Sequence, residues 1–256
     1  MQVKESEWKW QWERFDDLHA WLFSDWISPH TIESFAGEVV LDAGCGSGFH
    51  VRLVSPFAKE VHAVDLNAVD VAKTRNRDLD NVVYHEADIA EFDPGIAFDT
   101  VYCVGVVHHT IDPDRTVERL KTLVKPGGRL ILWVYSREGN LLRRRLLLPI
   151  KQGFLSCLPR KTVLACARFV TALLYPVVYS LYLMPLPWLP YYEYFRNWRR
   201  LPFRRNLQNV FDHMNSPVDH FISKDRASLW LAGWYDVHLS SYRGVSWRIS
   251  GRRPVT

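Results

Sequence analysis

The chain of 256 residues has few cysteines, and no hydrophobic leader is seen at its start. Its four cysteines, Cys45, Cys103, Cys157 and Cys166, form no closely spaced pair, which argues against a disulfide framework and predicts reduced thiols in a cytoplasmic protein. Residues 1–14 are polar and charged with interspersed tryptophans, so we expect no signal peptide. No internal repeat or low-complexity tract is present.

The sequence also lacks a strong overall charge. Its net charge of +4 says little about its partners. A hydrophobic content of 48% and an aromatic content of 14% are enough for a packed core and argue against disorder. The length fits one large domain, or one domain with a sizeable insertion.

A short apolar run at 39–41, typical of a buried parallel strand, leads into a glycine-rich turn. Gly44, Gly46 and Gly48 stand at alternate positions. Glycine permits positive φ and removes the Cβ that would hold a ligand away from the backbone. The amides that open the next helix face such a turn. The pattern predicts a site for a nucleotide or an anionic group.

A second apolar strand, 61–67, narrows the choice of ligand. It ends in Asp65, about 20 residues after the first glycine, where a carboxylate can meet a ribose diol. Two classes fit this spacing, a dinucleotide enzyme and an S-adenosylmethionine-dependent methyltransferase. The dinucleotide pattern requires a glycine where this chain has Phe49, which favours the methyltransferase.

The motif at 41–48 resembles the first motif of the class I S-adenosylmethionine-dependent methyltransferases. The resemblance covers about 37–135 well and the C-terminal end more loosely. It implies an α/β fold with a Rossmann-like, doubly wound, seven-stranded sheet whose last strand is antiparallel. It also implies S-adenosylmethionine as the cofactor, with the glycine turn holding the methionine moiety, Asp65 the ribose and Asp88 the adenine. For Asp88, a solvated loop carboxylate is the alternative. The predicted cofactor-binding residues are Asp42, Ala43, Gly44, Gly46, Gly48, Asp65, Leu66, Asp88, Ile89, Val104 and Gly105.

Two adjacent histidines, His108 and His109, follow the fourth predicted strand and are the catalytic candidates. From an extended segment they cannot both point the same way, so one could face the substrate while the other packs. The alternative is that both only shape the loop. We expect no metal site, because no third ligand has suitable spacing.

Two segments outside the core pattern stand out. Residues 5–35 are predicted to be helical with an aromatic face, either packed on the domain or covering the active site.

Residues 137–205 carry thirteen basic side chains and two acidic ones around an uncharged run at 169–185. That run is interrupted by Pro176 and is slightly short for a membrane span of about 20 residues. We expect a substrate cap here; docking on anionic lipid is the alternative, and RNA binding is a third option that lacks a recognisable module.

The predicted organisation has four parts: an N-terminal helical lid (1–36), a cofactor-binding core (37–136), a basic and aromatic helical insertion before the sixth strand (137–215) and the C-terminal part of the core (216–256). The expected function is methyl transfer to a small-molecule or lipid- or glycan-linked acceptor. The alternatives are an RNA methyltransferase and a non-catalytic protein that docks on a membrane or partner. A cytoplasmic location is expected, with peripheral contact at the inner membrane face as a variant, and nucleic acid is the less favoured partner.

Overall fold

The computed structural model describes residues 6–15 and 19–255 and contains one mixed sheet. Its seven strands are β1 Val39–Ala43, β2 Glu60–Asp65, β3 Val82–Glu86, β4 Phe98–Val104, β5 Val124–Tyr135, β6 Tyr235–Tyr242 and β7 Ser246–Arg252. They lie in the order β3-β2-β1-β4-β5-β7-β6. The first five are parallel, and β7 runs antiparallel between β5 and β6. The Rossmann-like fold with an antiparallel last strand is therefore confirmed.

The helices of the N-terminal segment and the core are short. They are α1 Ser6–Trp12, α2 Ala20–Ile27, α3 Phe49–Val54, α4 Val69–Arg75 and α5 Pro113–Thr122, with α10 Lys224–Trp230 before β6. Helix α5 begins at Pro113, where the Asp112 carboxylate caps it by accepting hydrogen bonds from the amides of Asp114 and Arg115 at 3.0 and 3.2 Å.

The predicted aromatic segment at 5–35 is present as two helices rather than one, and its residues 5 and 16–18 lie outside the described part of the chain. The two helices differ in what they pack against. Phe15, just after α1, is buried in a hydrophobic cluster of the insertion, whereas Phe23 and Ile27 of α2 are buried against the sheet. Helix α2 ends two residues before Pro29, a residue that cannot continue a regular helix.

The insertion is a helical cap with its own core. A π-helical turn at Arg143–Leu147 continues into α6 Leu148–Gly153, followed by α7 Arg160–Val178, α8 Tyr192–Trp198 and α9 Phe203–Asn215. Helices α7 and α9 pack along each other. The buried side chains of this cluster are Phe15, Leu155, Val163, Ala167, Val178, Trp198, Leu207, Val210, Phe211 and Met214.

Candidate functional site

The glycine turn after β1 needs glycine for two reasons, conformation and close packing. Gly44 and Gly48 have φ values of 94° and 77°, which other residues rarely adopt. A Cβ on Gly44 would lie 2.4 Å from the Val106 side chain, and one on Gly48 would lie 2.9 Å from the Cα of Ala72. The turn therefore brings β1 into close contact with the β4 loop and with α4.

The Asp65 carboxylate at the end of β2 is hydrogen-bonded to this turn. One carboxylate oxygen accepts the amide hydrogen of Gly46 at 2.9 Å, and the other accepts those of Asn67 and Ala68 at 3.1 Å each. Burial raises the pKa of the Asp65 carboxyl, and these hydrogen bonds oppose that rise. The turn and the acid are adjacent, as the sequence predicted.

The other predicted cofactor residues lie in three different environments. Asp42 is buried beneath the turn, where desolvation raises the pKa of its carboxyl to about 8. Asp88 is exposed and accepts the amide hydrogen of Ala90 at 2.8 Å, while Ile89 is buried in the core. Leu66 is 40% exposed. None of these four side chains lines the cavity described next.

A cavity of about 620 Å³ separates the glycine turn from the cap. Its volume falls within the ~300–1,000 Å³ common for small-molecule sites. Its core wall includes Gly44, Gly46, Val104 and Gly105, which are four of the predicted cofactor positions, together with Trp133 of β5. Much of the rest comes from the N-terminal helices and the cap, in which the main apolar side chains are Trp8, Trp12, Leu22, Trp26, Leu142, Leu146, Leu147, Ile150, Val170, Leu174, Tyr194 and Phe195.

The two candidate histidines lie behind this cavity and do not line it. His108 is fully buried, its ring centroid is 3.9 Å from that of Tyr135, and neither ring nitrogen has a described hydrogen-bond partner. Burial holds the pKa of His108 well below its usual value, so the ring is neutral. His109 Nδ1 lies 2.7 Å from the Val218 carbonyl oxygen and 3.2 Å from an Asp219 carboxylate oxygen. Their predicted catalytic role stays a prediction.

One group of polar side chains that line the cavity comes from β5, α9 and α1. The Tyr135 hydroxyl donates to Asp212 Oδ2 at 3.0 Å and lies 3.4 Å from His213 Nδ1. The Gln11 amide from α1 donates to Asp212 Oδ1 at 3.0 Å. Burial, reinforced by the nearby charge of Arg143, keeps the pKa of His213 well below its usual value. A neutral imidazole therefore faces the cavity beside a tyrosine and a carboxylate.

Comparison with known proteins shows the family to which the chain belongs. A family model described as a methyltransferase domain matches residues 41–132. The ubiquinone biosynthesis O-methyltransferase of Chromobacterium violaceum is 34% identical over 167 residues, which cover 60% of this chain and 68% of the relative. The chain belongs to the class I S-adenosylmethionine-dependent methyltransferases. The cofactor of this family is S-adenosylmethionine.

Other relatives of this methyltransferase match over a shorter part of their length. The tRNA U34 carboxymethyltransferase of Idiomarina loihiensis is 30% identical over 146 residues, which cover 53% of this chain. The chain spans only 41% of that relative. An O-methyltransferase family protein from Burkholderia thailandensis shares the fold, with a TM-score of 0.54 at 16% identity over 93% of this chain and 57% of that one.

The wall of this cavity includes Gly44, Gly46 and Gly105, three of the predicted cofactor positions. The indole of Trp12 packs on Gly46, where an added Cβ would lie 2.9 Å from the ring. Since the Gly46 amide also bonds Asp65, α1 lies close to both the turn and this acid. The ribose-binding role of Asp65 stays a prediction.

Sequence reasoning missed a buried charge cluster in the methyltransferase, centred on Asp219. This carboxylate contacts His109, accepts from the Ser216 hydroxyl at 2.9 Å, lies 3.6 Å from Arg143 and bonds Lys151. Burial disfavours its ionisation, yet the hydrogen bond from His109 and the neighbouring cations hold its pKa far below the usual value. The only signal in the sequence was the density of ionisable residues at 212–220, which span the end of α9 and the loop after it.

Proposed function

We propose that this protein transfers the methyl group of S-adenosylmethionine to a hydroxyl group of a small-molecule or lipid-linked acceptor. The observation that supports this proposal most directly is the cavity, which lies between the glycine turn and a largely apolar cap. An apolar wall with a few convergent polar groups is typical of a site for a small organic ligand. The ubiquinone biosynthesis O-methyltransferase among the relatives supports an oxygen acceptor.

The polar corner of the cavity supplies what such a reaction needs from the protein. When bound, the cofactor supplies a methyl group on a sulfonium, whose carbon–sulfur bond breaks with its electron pair going to sulfur. The new bond forms from the acceptor oxygen, whose proton must leave. The neutral His213 imidazole accepts that proton, while Asp212 and Tyr135 fix the acceptor's approach by hydrogen bonds.

Incubation with methyl-labelled cofactor and fractionated cell extract tests this function. We expect label in the lipid or metabolite fraction, and little label with His213→Ala. The exposed His238 on β6 offers a matched control, and His238→Ala should keep full labelling. Label only in protein, or equal labelling by both variants, would contradict the proposal.

We further propose that the cap holds the protein at a membrane surface. Among the described residues, α7 is the one helix long and apolar enough to cross a membrane by length and composition. Its buried side packs on α9, whereas Phe169 and Leu173 on its other side are 65% and 55% exposed. Exposed Lys161 and Arg168 adjoin them. An apolar face edged by bases suits a helix lying in an anionic lipid interface.

An RNA acceptor is the second candidate function. The relatives named tRNA U34 carboxymethyltransferase favour it, although our sequence-based expectation had placed nucleic acid last. The basic side chains of the cap are the feature that would bind phosphates. Label in the RNA fraction, together with RNA binding that weakens steeply with salt, would establish this function in place of the first.

A further inference from the structure

A second recess, which we call the arginine recess, lies beside the cavity of about 620 Å³, which we call the acceptor cavity. It has a volume of about 430 Å³, and four of its six lining residues are arginines. The lining residues are Glu193, Arg196, Asn197, Arg199, Arg200 and Arg243. They come from α8, the residues just after it and the β6–β7 hairpin, so the recess forms only when the cap meets the end of the sheet.

Two of the four arginines already have acidic partners. Arg196 lies 3.4 Å from Glu193, and Arg243 lies 3.1 Å from Asp25 of α2. Within the described part of the chain, no carboxylate pairs with Arg199 or Arg200. The recess thus gathers more positive charge than the protein itself neutralises.

The Arg200 guanidinium is held in place without a counter-ion. Its central carbon lies 4.0 Å from the centroid of a Trp21 ring. Stacking of this kind uses the face of the guanidinium and leaves its N–H edge for an acceptor. Trp21 therefore holds the Arg200 guanidinium, next to Arg199 in the chain, with its N–H groups available to a hydrogen-bond acceptor.

The unpartnered N–H donor of Arg243 points to the same ligand chemistry, and Asn197 and Arg243 together connect the two cavities. Asn197 is 7% exposed and Arg243 is partly buried, and both line the recess and the acceptor cavity. Asn197 Oδ1 and Arg243 Nε have no hydrogen-bond partner among the described residues. Buried polar atoms without partners are costly, so their presence where two cavities meet marks a place for a polar ligand.

We propose that the arginine recess binds the phosphate or diphosphate group of a lipid-linked acceptor whose reacting end lies in the acceptor cavity. Arginine forks match the oxygens of a phosphoryl group, and their combined charge is offset by its negative charge. The lipid is favoured over RNA because the adjoining cavity walls are largely apolar and include several exposed aliphatic side chains. Three aliphatic side chains that line that cavity remain exposed: Leu146 at 61%, Ile150 at 54% and Val170 at 37%. An acyl or prenyl chain can therefore cover them. This inference rests on the proposed function, whose acceptor it narrows.

Two probes that differ only in the charged group test the recess: farnesyl diphosphate and farnesol. Calorimetry in the absence of S-adenosylmethionine keeps this test separate from methyl transfer. Charge-assisted hydrogen bonds predict that the diphosphate binds about 10- to 100-fold more tightly than the alcohol. The double variant Arg199→Gln/Arg200→Gln should lose this preference while its affinity for farnesol is unchanged.

The matched control removes the same charge elsewhere in the cap. The variant Arg144→Gln/Arg145→Gln should keep the preference for the diphosphate, because neither side chain lines the recess. Equal affinity for both probes in the unmodified protein would overturn the proposal, and so would an equal loss in both double variants. Binding of tRNA that depends on Arg199 and Arg200, without any preference for the diphosphate, would overturn the lipid assignment. If the unmodified protein methylates a lipid acceptor but shows no preference for the diphosphate over the alcohol, the proposed function stands and this inference alone fails.

Discussion

Replacement of Asp219 by asparagine is the perturbation with the most clearly derived outcome. The side chain is 2% exposed and neutralises Arg143 and Lys151, which are themselves 8% and 6% exposed. Asparagine keeps the shape but removes the carboxylate that pairs directly with these two buried cations, which leaves only the more distant charge of Asp212. Removing one partner of a buried ion pair lowers the free energy of unfolding by about 3–5 kcal/mol. For a protein of this size that corresponds to a fall in Tm of roughly 6–20 °C.

Thermal and urea unfolding measure this loss. The control is Glu91→Gln, which removes an acid paired with Arg115 at 3.0 Å on the surface, where the two side chains are 68% and 64% exposed. Such exposed pairs contribute about 0–1 kcal/mol. The reasoning is refuted if Asp219→Asn unfolds within about 1 kcal/mol of Glu91→Gln.

The pH dependence of the same variant gives an independent check with a defined sign. The folded-state pKa of Asp219 lies below its unfolded value of about 3.9. Its contribution to stability is therefore complete above that unfolded pKa and is lost as pH falls towards the folded pKa. The difference in unfolding free energy between the unmodified protein and Asp219→Asn should be constant from neutral pH to about pH 5 and shrink below about pH 4. A difference that grows on acidification would contradict the assignment.

Three further predictions concern ligands. Asp65→Ala should weaken binding of S-adenosylhomocysteine in calorimetry, and unchanged affinity would remove this residue from the ribose site. His213→Ala should lower kcat by about 10²–10⁴-fold and remove an inflection from the pH–rate profile, because a positioned base has been lost; a parallel profile would leave the residue only a structural role. Phe169→Ser combined with Leu173→Ser should reduce sedimentation with vesicles containing phosphatidylglycerol, whereas Leu229→Ser, which replaces a residue 70% exposed on α10, should not. Equal binding by all of these proteins would contradict membrane docking.

The order of the core elements was predictable because its signals are local. The apolar run before Gly44 and the acid that ends β2 each depend on a few neighbouring residues, and each lies where the sequence placed it. The antiparallel last strand was implied by the family resemblance, and the short interval between β6 and β7 agrees with it, because only a hairpin can span that interval.

The cap side of the site was not predictable in the same way. His213 and Asp212 stand in α9, some 80 residues after Tyr135, and only the packing of the cap on the core brings the three side chains together. Likewise, nothing local separates a histidine that lines a cavity from one that is buried. His108 follows β4 as the family pattern suggests, yet its ring is enclosed by Tyr135 and His109.

The N-terminal helix links the two halves of the site, and this gives it a role in ligand exchange. On the core side, Arg75 of α4 donates to the Trp12 carbonyl at 2.8 Å and Lys9 pairs with Asp70 at 2.5 Å. On the cap side, Gln11 bonds Asp212. Helix α1 contributes walls to the cavity and also covers Gly46. Its displacement would therefore uncover the glycine turn and open the cavity in one movement. Entry of the cofactor and entry of the acceptor are therefore expected to be coupled through this one helix, because each requires the same contacts to break.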